Sequence, residues 1–415
     1  MSTDHMHPPL APDILFAALF DTLPASRRCN GLTLASGTLL GHPLDCFVLH
    51  GSDCTSTGHA ALLEFLTTER TAVRPLIGIF ACGTATDEDG LLLERQAMLL
   101  QQLAIARSLA PYLSIVLTQQ TDTLAALAAL ADLTLVARPA GSLALHGPNA
   151  VLQARALVFD ADALGGAAAL RHQSGLAARS CRSTLEALRH VRLALPLLSS
   201  PQSLVPAKTA KPTQALATLL PDTRNAFDCR ELIDTLIDAG SLLAWHDDDD
   251  LAVATGIARL QGRTIGIVSN QPRQHAGHLG LAELRRIERF LQLCRIRKLP
   301  VLSLIDTGGL LPALPDTDAD LLATWLRVLD AWQTLETPRI SIVPRLALGT
   351  GALSMGLTPA TPRHIRIEWL GAGTQASGTF ADAHPTAQQT GPYHLLTAPA
   401  DCPLAVHTAL DLLQA

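Results

Sequence analysis

Lysine is almost missing from this sequence: Lys208, Lys211 and Lys298 are the only three in 415 residues. Arginine is therefore the expected partner for any phosphate the protein meets. Aromatic residues make up 4% of the chain and the formal net charge is -6. The chain thus lacks both the stacking surface and the basic field that nucleic-acid binding needs. Eight cysteines are present, but no two have CxxC spacing. That excludes a zinc ribbon or a disulfide framework as the organising device and suits reduced, packed thiols. No basic segment leads into an apolar core and cleavage site near the start, since Ile14 to Phe20 is short and closes at Asp21, so no secretion signal is expected. The longest apolar block, Leu124 to Ala137, is interrupted by Asp132 and falls short of a membrane span. A cytoplasmic protein with no membrane or nucleic-acid partner is the expectation.

Apolar material is abundant: hydrophobic residues are 48% of the chain and the mean hydropathy is +0.25. That is ample for two sizeable cores. Breaker residues cluster between 198 and 212, which places a domain boundary there. The expected organisation is an N-terminal arm over 1–30, a first lobe over 31–200, a linker over 201–222 and a second lobe over 223–415. In the first lobe a hairpin (Leu32–Leu40, then Leu44–Leu49) leads to a helix, a strand from Pro75 ending at Cys82-Gly83-Thr84-Ala85, a helix near Leu91–Leu109, and strands at Leu113 and Leu133. The second lobe repeats that order. A hairpin ends in Gly266-Ile267-Val268-Ser269-Asn270-Gln271-Pro272, a helix covers Leu281–Lys298, and a strand from Pro300 ends at Gly308-Gly309. The spacing from Pro75 to Gly83 equals that from Pro300 to Gly308. A duplicated α/β design of ββα units follows.

Taken in order, these motifs resemble the carboxyltransferase β-subunits of biotin-dependent acyl-CoA carboxylases of the propionyl-CoA type, with malonate decarboxylase subunits behind them. The resemblance rests on Gly266 to Pro272, Ala276-Gly277, Pro300 to Pro312 and Phe227-Asp228-x-Arg230-Glu231. In the first half it rests on His146-Gly147-Pro148, Leu164 to Ala167 with His172 and Ser174-Gly175, and Leu195 to Ser200. It covers roughly residues 35–385.

The resemblance implies two crotonase-like lobes whose strand-to-helix turns offer backbone N–H groups, one set to a thioester enolate and the other to the ureido oxygen of carboxybiotin. Such a site needs positioned donors more than acid or base side chains. Carried over residue by residue, the acyl-CoA side comprises Gly83, Thr84 and Ala85 with the enolate turn at Asp122 and Thr123. The biotin side comprises Asn270, Gln271, Gly308, Gly309 and Gly349, with Thr350 and Gly351 as donors and Leu353 where relatives select acyl-chain size. The departures lie mostly in the first lobe: Asp122-Thr123 replaces a glycine pair, and one glycine and an arginine are gone around Gly83. The implied activity is carboxyl transfer at the α-carbon of an acyl thioester, carried by coenzyme A or an acyl carrier protein. Biotin would be supplied in trans by a biotin carboxylase or carrier subunit, within a homo- or hetero-oligomer. The alternatives are a biotin-independent malonyl-thioester decarboxylase and a catalytically inactive subunit that assembles with an active homologue.

Other residues stay open between two roles. Asp122 suits a helix N-cap as well as a substrate-selecting charge. His59 suits packing or capping as well as catalysis. His275 and His278 read as loop histidines near the cleft, and Asp306 as a turn-stabilising carboxylate. Cys82 is a conceivable nucleophile at its turn, without a visible base. His246 to Asp250 reads as a solvated turn rather than a metal site, and none is expected.

Overall fold

The computed structural model describes residues 10–413, apart from 71, 88, 171–173, 177–178, 200–225, 246–249, 313, 316 and 376–390. The expected linker over 201–222, and His246 to Asp249 of the acidic turn, therefore lie outside the described residues. The chain divides into two units, Met1–Ser199 and Ser200–Ala415.

The first unit contains strands β1 (Ser26–Cys29), β2 (Leu32–Leu39), β3 (His42–Thr55), β4 (Leu76–Thr86), β5 (Tyr112–Val116), β6 (Gln119–Thr121), β7 (Leu133–Ala137), β8 (Ser142–Ala144) and β9 (Arg179–Cys181). The second contains β10 (Leu243–Ala244), β11 (Val253–Leu260), β12 (Arg263–Asn270), β13 (Val301–Leu304), β14 (Arg339–Val343), β15 (Leu346–Leu348), β16 (His364–Trp369), β17 (Gly373–Gln375) and β18 (His394–Thr397). The two main sheets have the same topology, in the orders β1-β2-β3-β4-β5-β7-β9 and β10-β11-β12-β13-β14-β16-β18. In each, an antiparallel hairpin feeds a run of parallel strands, and a small parallel pair stands apart: β6 with β8, and β15 with β17. The repeat read from the sequence is thus a repeat of folds.

Parallel strands buried on both faces explain why these segments read as continuous apolar runs. In the second unit Ile265, Ile267, Leu302, Leu304, Ile340, Ile342, Ile365 and Ile367 alternate along four neighbouring strands and share a core with Val406, Ala409 and Leu410 of the helix Cys402–Leu412. Gly266 faces the other way: a Cβ there would stand 2.5 Å from Cys294 Sγ, so the helix Leu281–Arg297 packs directly on the strand. That helix buries Leu284, Ile287, Leu291 and Cys294, spaced at helical intervals, as its sequence predicts. Its start is tied down by the buried carboxylate of Glu283, which accepts from Gly280 N–H at 2.9 Å and from Ala252 N–H at 3.2 Å. Losing that acceptor would leave buried donors unpaired, at about 1–3 kcal/mol each.

Three expectations are corrected. Residues 12–29 are not an arm: Leu15, Phe16 and Leu19 of the helix Pro12–Leu19 are fully buried, and β1 opens the first sheet. The apolar residues of this short helix serve the unit's own core. The segment 82–85 is not a strand-to-helix turn, because β4 runs through Thr86, held by its parallel register with β3 from Gly51↔Cys82 to Thr55↔Thr86. The helix expected between the hairpin and the Pro75 strand is α-helical over Ser56–Glu64 only and continues as a π turn over Phe65–Glu69. Among the described residues no helix is long and apolar enough to cross a membrane, and no cluster of His, Cys, Asp and Glu could hold a metal ion.

Candidate functional site

In the second unit the parallel register brings the C-terminal ends of β12, β13 and β14 to one edge of the sheet. Asn270, 1% exposed, holds two loops there: its Oδ1 accepts from Asp306 N–H at 3.0 Å and its Nδ2 donates to Gly277 O at 3.3 Å. Thr307 then joins the loop to β15, donating its N–H to Leu346 O at 2.9 Å and accepting from Leu348 N–H at 3.2 Å. Gly309 N–H donates to Thr307 Oγ1 at 3.1 Å. Gly309 lies at φ 124°, a backbone conformation that favours glycine.

The short helix Gly349–Ser354 begins directly after β15, with Gly349 at φ 50°. Its first turn rests on the Gly309 loop so closely that a Cβ on Gly351 would stand 2.7 Å from Gly309 Cα. The N–H groups of this first turn, including those of Thr350 and Gly351, have no acceptor within the helix. Asn270, Gly308, Gly309, Gly349, Thr350 and Gly351 thus form one cluster. Leu353, 41% exposed, lies on the same helix. The side chain of Gln271 is engaged elsewhere, because Nε2 donates to Asp228 Oδ1 at 2.9 Å, and Asp228 caps the helix Cys229–Leu236. His278 packs its ring against Gly308, whereas His275 is exposed.

One ion pair braces this cluster. Arg345 Nε donates to Asp306 Oδ2 at 3.0 Å, with both side chains at most 10% exposed, and its guanidinium lies 6.0 Å from the Phe227 ring centroid. Burial raises the Asp306 carboxyl to about 6, with Arg345 opposing the rise. Sequence reasoning caught Asp306 as a turn residue but missed Arg345, because nothing local marks an arginine after Pro344 as its partner.

The first unit carries the counterpart turn. β6 ends at Thr121 and the helix Asp122–Ala129 begins with Asp122 at φ 52°, nearly the dihedral of Gly349. Aspartate is among the few residues that enter this region at modest cost. The cap residue is Thr121, and among the described residues no hydrogen bond reaches the exposed Asp122 carboxylate, so the N-cap reading of Asp122 is corrected. Its N–H donates to Leu145 O at 3.2 Å, leaving Thr123 as the first helix donor without an intrahelical acceptor. An apolar cavity of about 350 Å³, lined in part by Leu143, Leu145, His146 and Leu170, adjoins the turn through Leu145.

Gly83 and Ala85 lie in β4, as does the Thr84 backbone, close to this turn but not forming one. Gln120, fully buried, makes the connection: Nε2 donates to Cys82 O at 2.9 Å and to Thr118 Oγ1 at 2.8 Å, while Thr118 Oγ1 donates to Cys82 O at 2.6 Å. Gln120 was missed because only pairing of β6 with β8 turns it inward. Cys82 is itself fully buried with Sγ 3.5 Å from Gln120 Oε1, which argues against a nucleophile. His59 is a packed residue: fully buried, 2.9 Å through Nδ1 from Thr55 O, and held by burial below the usual histidine range.

The chain matches the carboxyl transferase domain over residues 40–389. It belongs to that family. It is 25% identical over 371 residues to the propionyl-CoA carboxylase beta chain of Cereibacter sphaeroides, an alignment covering 86% of this chain and 70% of that one. It is 23% identical over 344 residues to the methylmalonyl-CoA decarboxylase subunit alpha of Veillonella parvula, covering 80% and 67%. Among solved structures, transcarboxylase 12S, a hexamer with hydrolysed methylmalonyl-coenzyme A bound, superposes with a TM-score of 0.85 at 20% identity over 97% of this chain and 88% of that one. The resemblance seen in the sequence and the crotonase-like fold of both lobes are thereby borne out.

Proposed function

We propose that this family member acts at the α-carbon of an acyl thioester, receiving or releasing a carboxyl group through an enolate whose oxygen is held by backbone N–H groups. The observation that carries this reading is the pair of equivalent turns, each opening a helix with a left-handed residue, Asp122 at φ 52° and Gly349 at φ 50°. In either direction negative charge passes through the thioester oxygen: the enolate forms by loss of the α-proton before it takes up carbon dioxide, or by loss of carbon dioxide before it takes up a proton. Donors fixed before the reaction stabilise that charge without reorganising. In the first unit the Thr123 N–H serves this purpose, and the apolar cavity beside Leu145 suits the acyl group or the pantetheine arm. Gly83, Thr84 and Ala85 on β4 flank the acyl-CoA side. In the second unit the Thr350 and Gly351 N–H groups form the other donor pair, in a cradle against Gly309 that a Cβ on Gly351 would fill.

Biotin on a partner protein would supply the carboxyl group as an N-carboxy ureide, with Thr350 and Gly351 as the residues to hold its ureido oxygen. Decarboxylation is the second reading. It is favoured by the methylmalonyl-CoA decarboxylase relative; the Asp122 charge beside the enolate turn opposes the shared enolate in either direction and does not choose between the readings. The deciding assay follows CO2 release from malonyl-CoA and methylmalonyl-CoA with and without a biotin carrier, and carboxylation of acetyl-CoA and propionyl-CoA with a carboxybiotin carrier. Biotin-dependent transfer supports the first reading and biotin-independent release the second. A protein that binds no thioester and turns none over would be the inactive assembly subunit.

A further inference from the structure

A second cavity, of about 720 Å³, lies at the opposite edge of the second unit's sheet, among the N-terminal ends of β12, β13 and β14. Arg263 and Thr264 open β12, Pro300 precedes β13 and Pro338 precedes β14, so this edge is remote along the strands from the loops that carry Gly309 and Gly349. Its walls hold three cationic side chains, Arg263, Arg295 and Lys298, against the single carboxylate of Glu336. Lys298 is the only lysine among the described residues. Among those residues neither Arg263 nor Arg295 makes an ion pair.

Two helices, Leu281–Arg297 and Asp318–Gln333, end at the rim, and their C-terminal carbonyls carry partial negative charge that offsets part of this positive field. About half an elementary charge per helix leaves the cations in excess. The lining also contains an unexplained polar group. Thr264 is 0% exposed, yet its Oγ1 has no hydrogen-bond partner among the described residues. A buried hydroxyl without a partner costs about 1–3 kcal/mol, so the site is incomplete as it stands. The volume is that of a small-molecule site.

We infer that this cavity binds a phosphate-bearing small molecule, with Arg263, Arg295 and Lys298 contacting the phosphate oxygens and the Thr264 hydroxyl donating to one of them. Pro300, Pro338 and Leu410 supply the apolar wall for the organic part of a phosphate ester. Within the second unit the site is separate from the turn at Gly349–Gly351, and its existence does not depend on the proposed thioester chemistry.

Isothermal titration of the full chain with adenosine diphosphate and, separately, with inorganic phosphate tests the inference and distinguishes an ester from the free ion. Wild type is expected to bind adenosine diphosphate with a Kd of about 0.1–1 mM and inorganic phosphate more weakly. R263Q/R295Q is expected to weaken binding at least about tenfold, since each lost charge-assisted contact is among the stronger hydrogen bonds. T264V is expected to weaken it severalfold. Thermal unfolding of each variant without ligand checks that the unit still folds, and K298Q, at an exposed helix end, is expected to weaken binding severalfold without changing the unfolding temperature. Absence of binding by wild type at about 10 mM ligand would overturn the inference. So would equal binding by wild type and R263Q/R295Q, which would place the ligand elsewhere and leave the cations as complements to the helix ends.

Discussion

Replacing Gly351 by alanine tests how the second turn is built. The added Cβ would stand 2.7 Å from both Cα and C of Gly309 and 2.8 Å from its carbonyl oxygen. All three are backbone atoms, so no side-chain rotation relieves the overlap, and the helix Gly349–Ser354 must lift from the loop it rests on. Overpacking of this kind costs about 1–3 kcal/mol, and contact with backbone on one side only puts it at the upper end. Against this, alanine gains about 1 kcal/mol over glycine within a helix. The net expectation is a loss of about 2 kcal/mol. For a domain of this size that corresponds to about 4–8 °C in the melting temperature of the second unit. Gly308→Ala provides the control: the nearest atoms to its Cβ would be those of the His278 ring, 2.3 Å away at Cε1, and a half-exposed side chain can turn aside. Denaturant and thermal unfolding of both variants should therefore rank Gly351→Ala well below Gly308→Ala. Equal stability for Gly351→Ala and wild type, or the reverse ranking, would refute the packing argument and with it the close seating of the donor turn on Gly309.

Further predictions concern charge and dihedral strain. At Asp122, with φ 52°, Asp122→Ala should be about 1 kcal/mol less stable than Asp122→Gly in urea unfolding. Asp122→Asn, which removes the charge, should raise thioester turnover severalfold if the enolate forms at this turn, and unchanged turnover would detach the carboxylate from the chemistry. Asp306→Asn takes the carboxylate from Arg345 but also removes a buried charge, so its stability relative to wild type should rise between pH 4 and pH 8. Asp306 also binds its proton more tightly folded, at about 6, than at its ordinary 3.8, so it costs stability progressively as pH rises from about 4 to 6. That pH-dependent loss should vanish in Asp306→Asn. His364 has the opposite sign: burial, aided by the nearby charges of Arg339 and Arg366, lowers it to about 4, so the folded state resists the proton that the unfolded chain accepts. Its contribution is present above pH 6.5 and is lost, by about 3 kcal/mol, as pH falls toward 4. The two groups oppose each other over much of the same window. Titrating each variant against wild type separates them, and a His364→Gln protein with an unchanged acid limb would contradict the assignment.

By itself the sequence determined the repeated order of strands and helices. Runs such as Gly266–Val268 and Ile340–Val343 are buried on both faces, and that burial writes itself into composition. It also determined where the chain's backbone must take unusual turns, since Gly309 and Gly349 occupy left-handed dihedrals. Tertiary structure alone decided the rest. Cys82 to Ala85 has turn-forming residues and still extends as strand, because pairing with β3 outweighs local preference. Asp122, which seemed to abolish a glycine turn, keeps its geometry through φ 52°. Gln120, Arg345 and the cluster of Arg263, Thr264, Arg295 and Lys298 gain their meaning from partners on separate elements. Local patterns record burial and dihedral preference. Ion pairs, donor turns and cavities arise where distant strands and helices meet, and no local pattern carries that information.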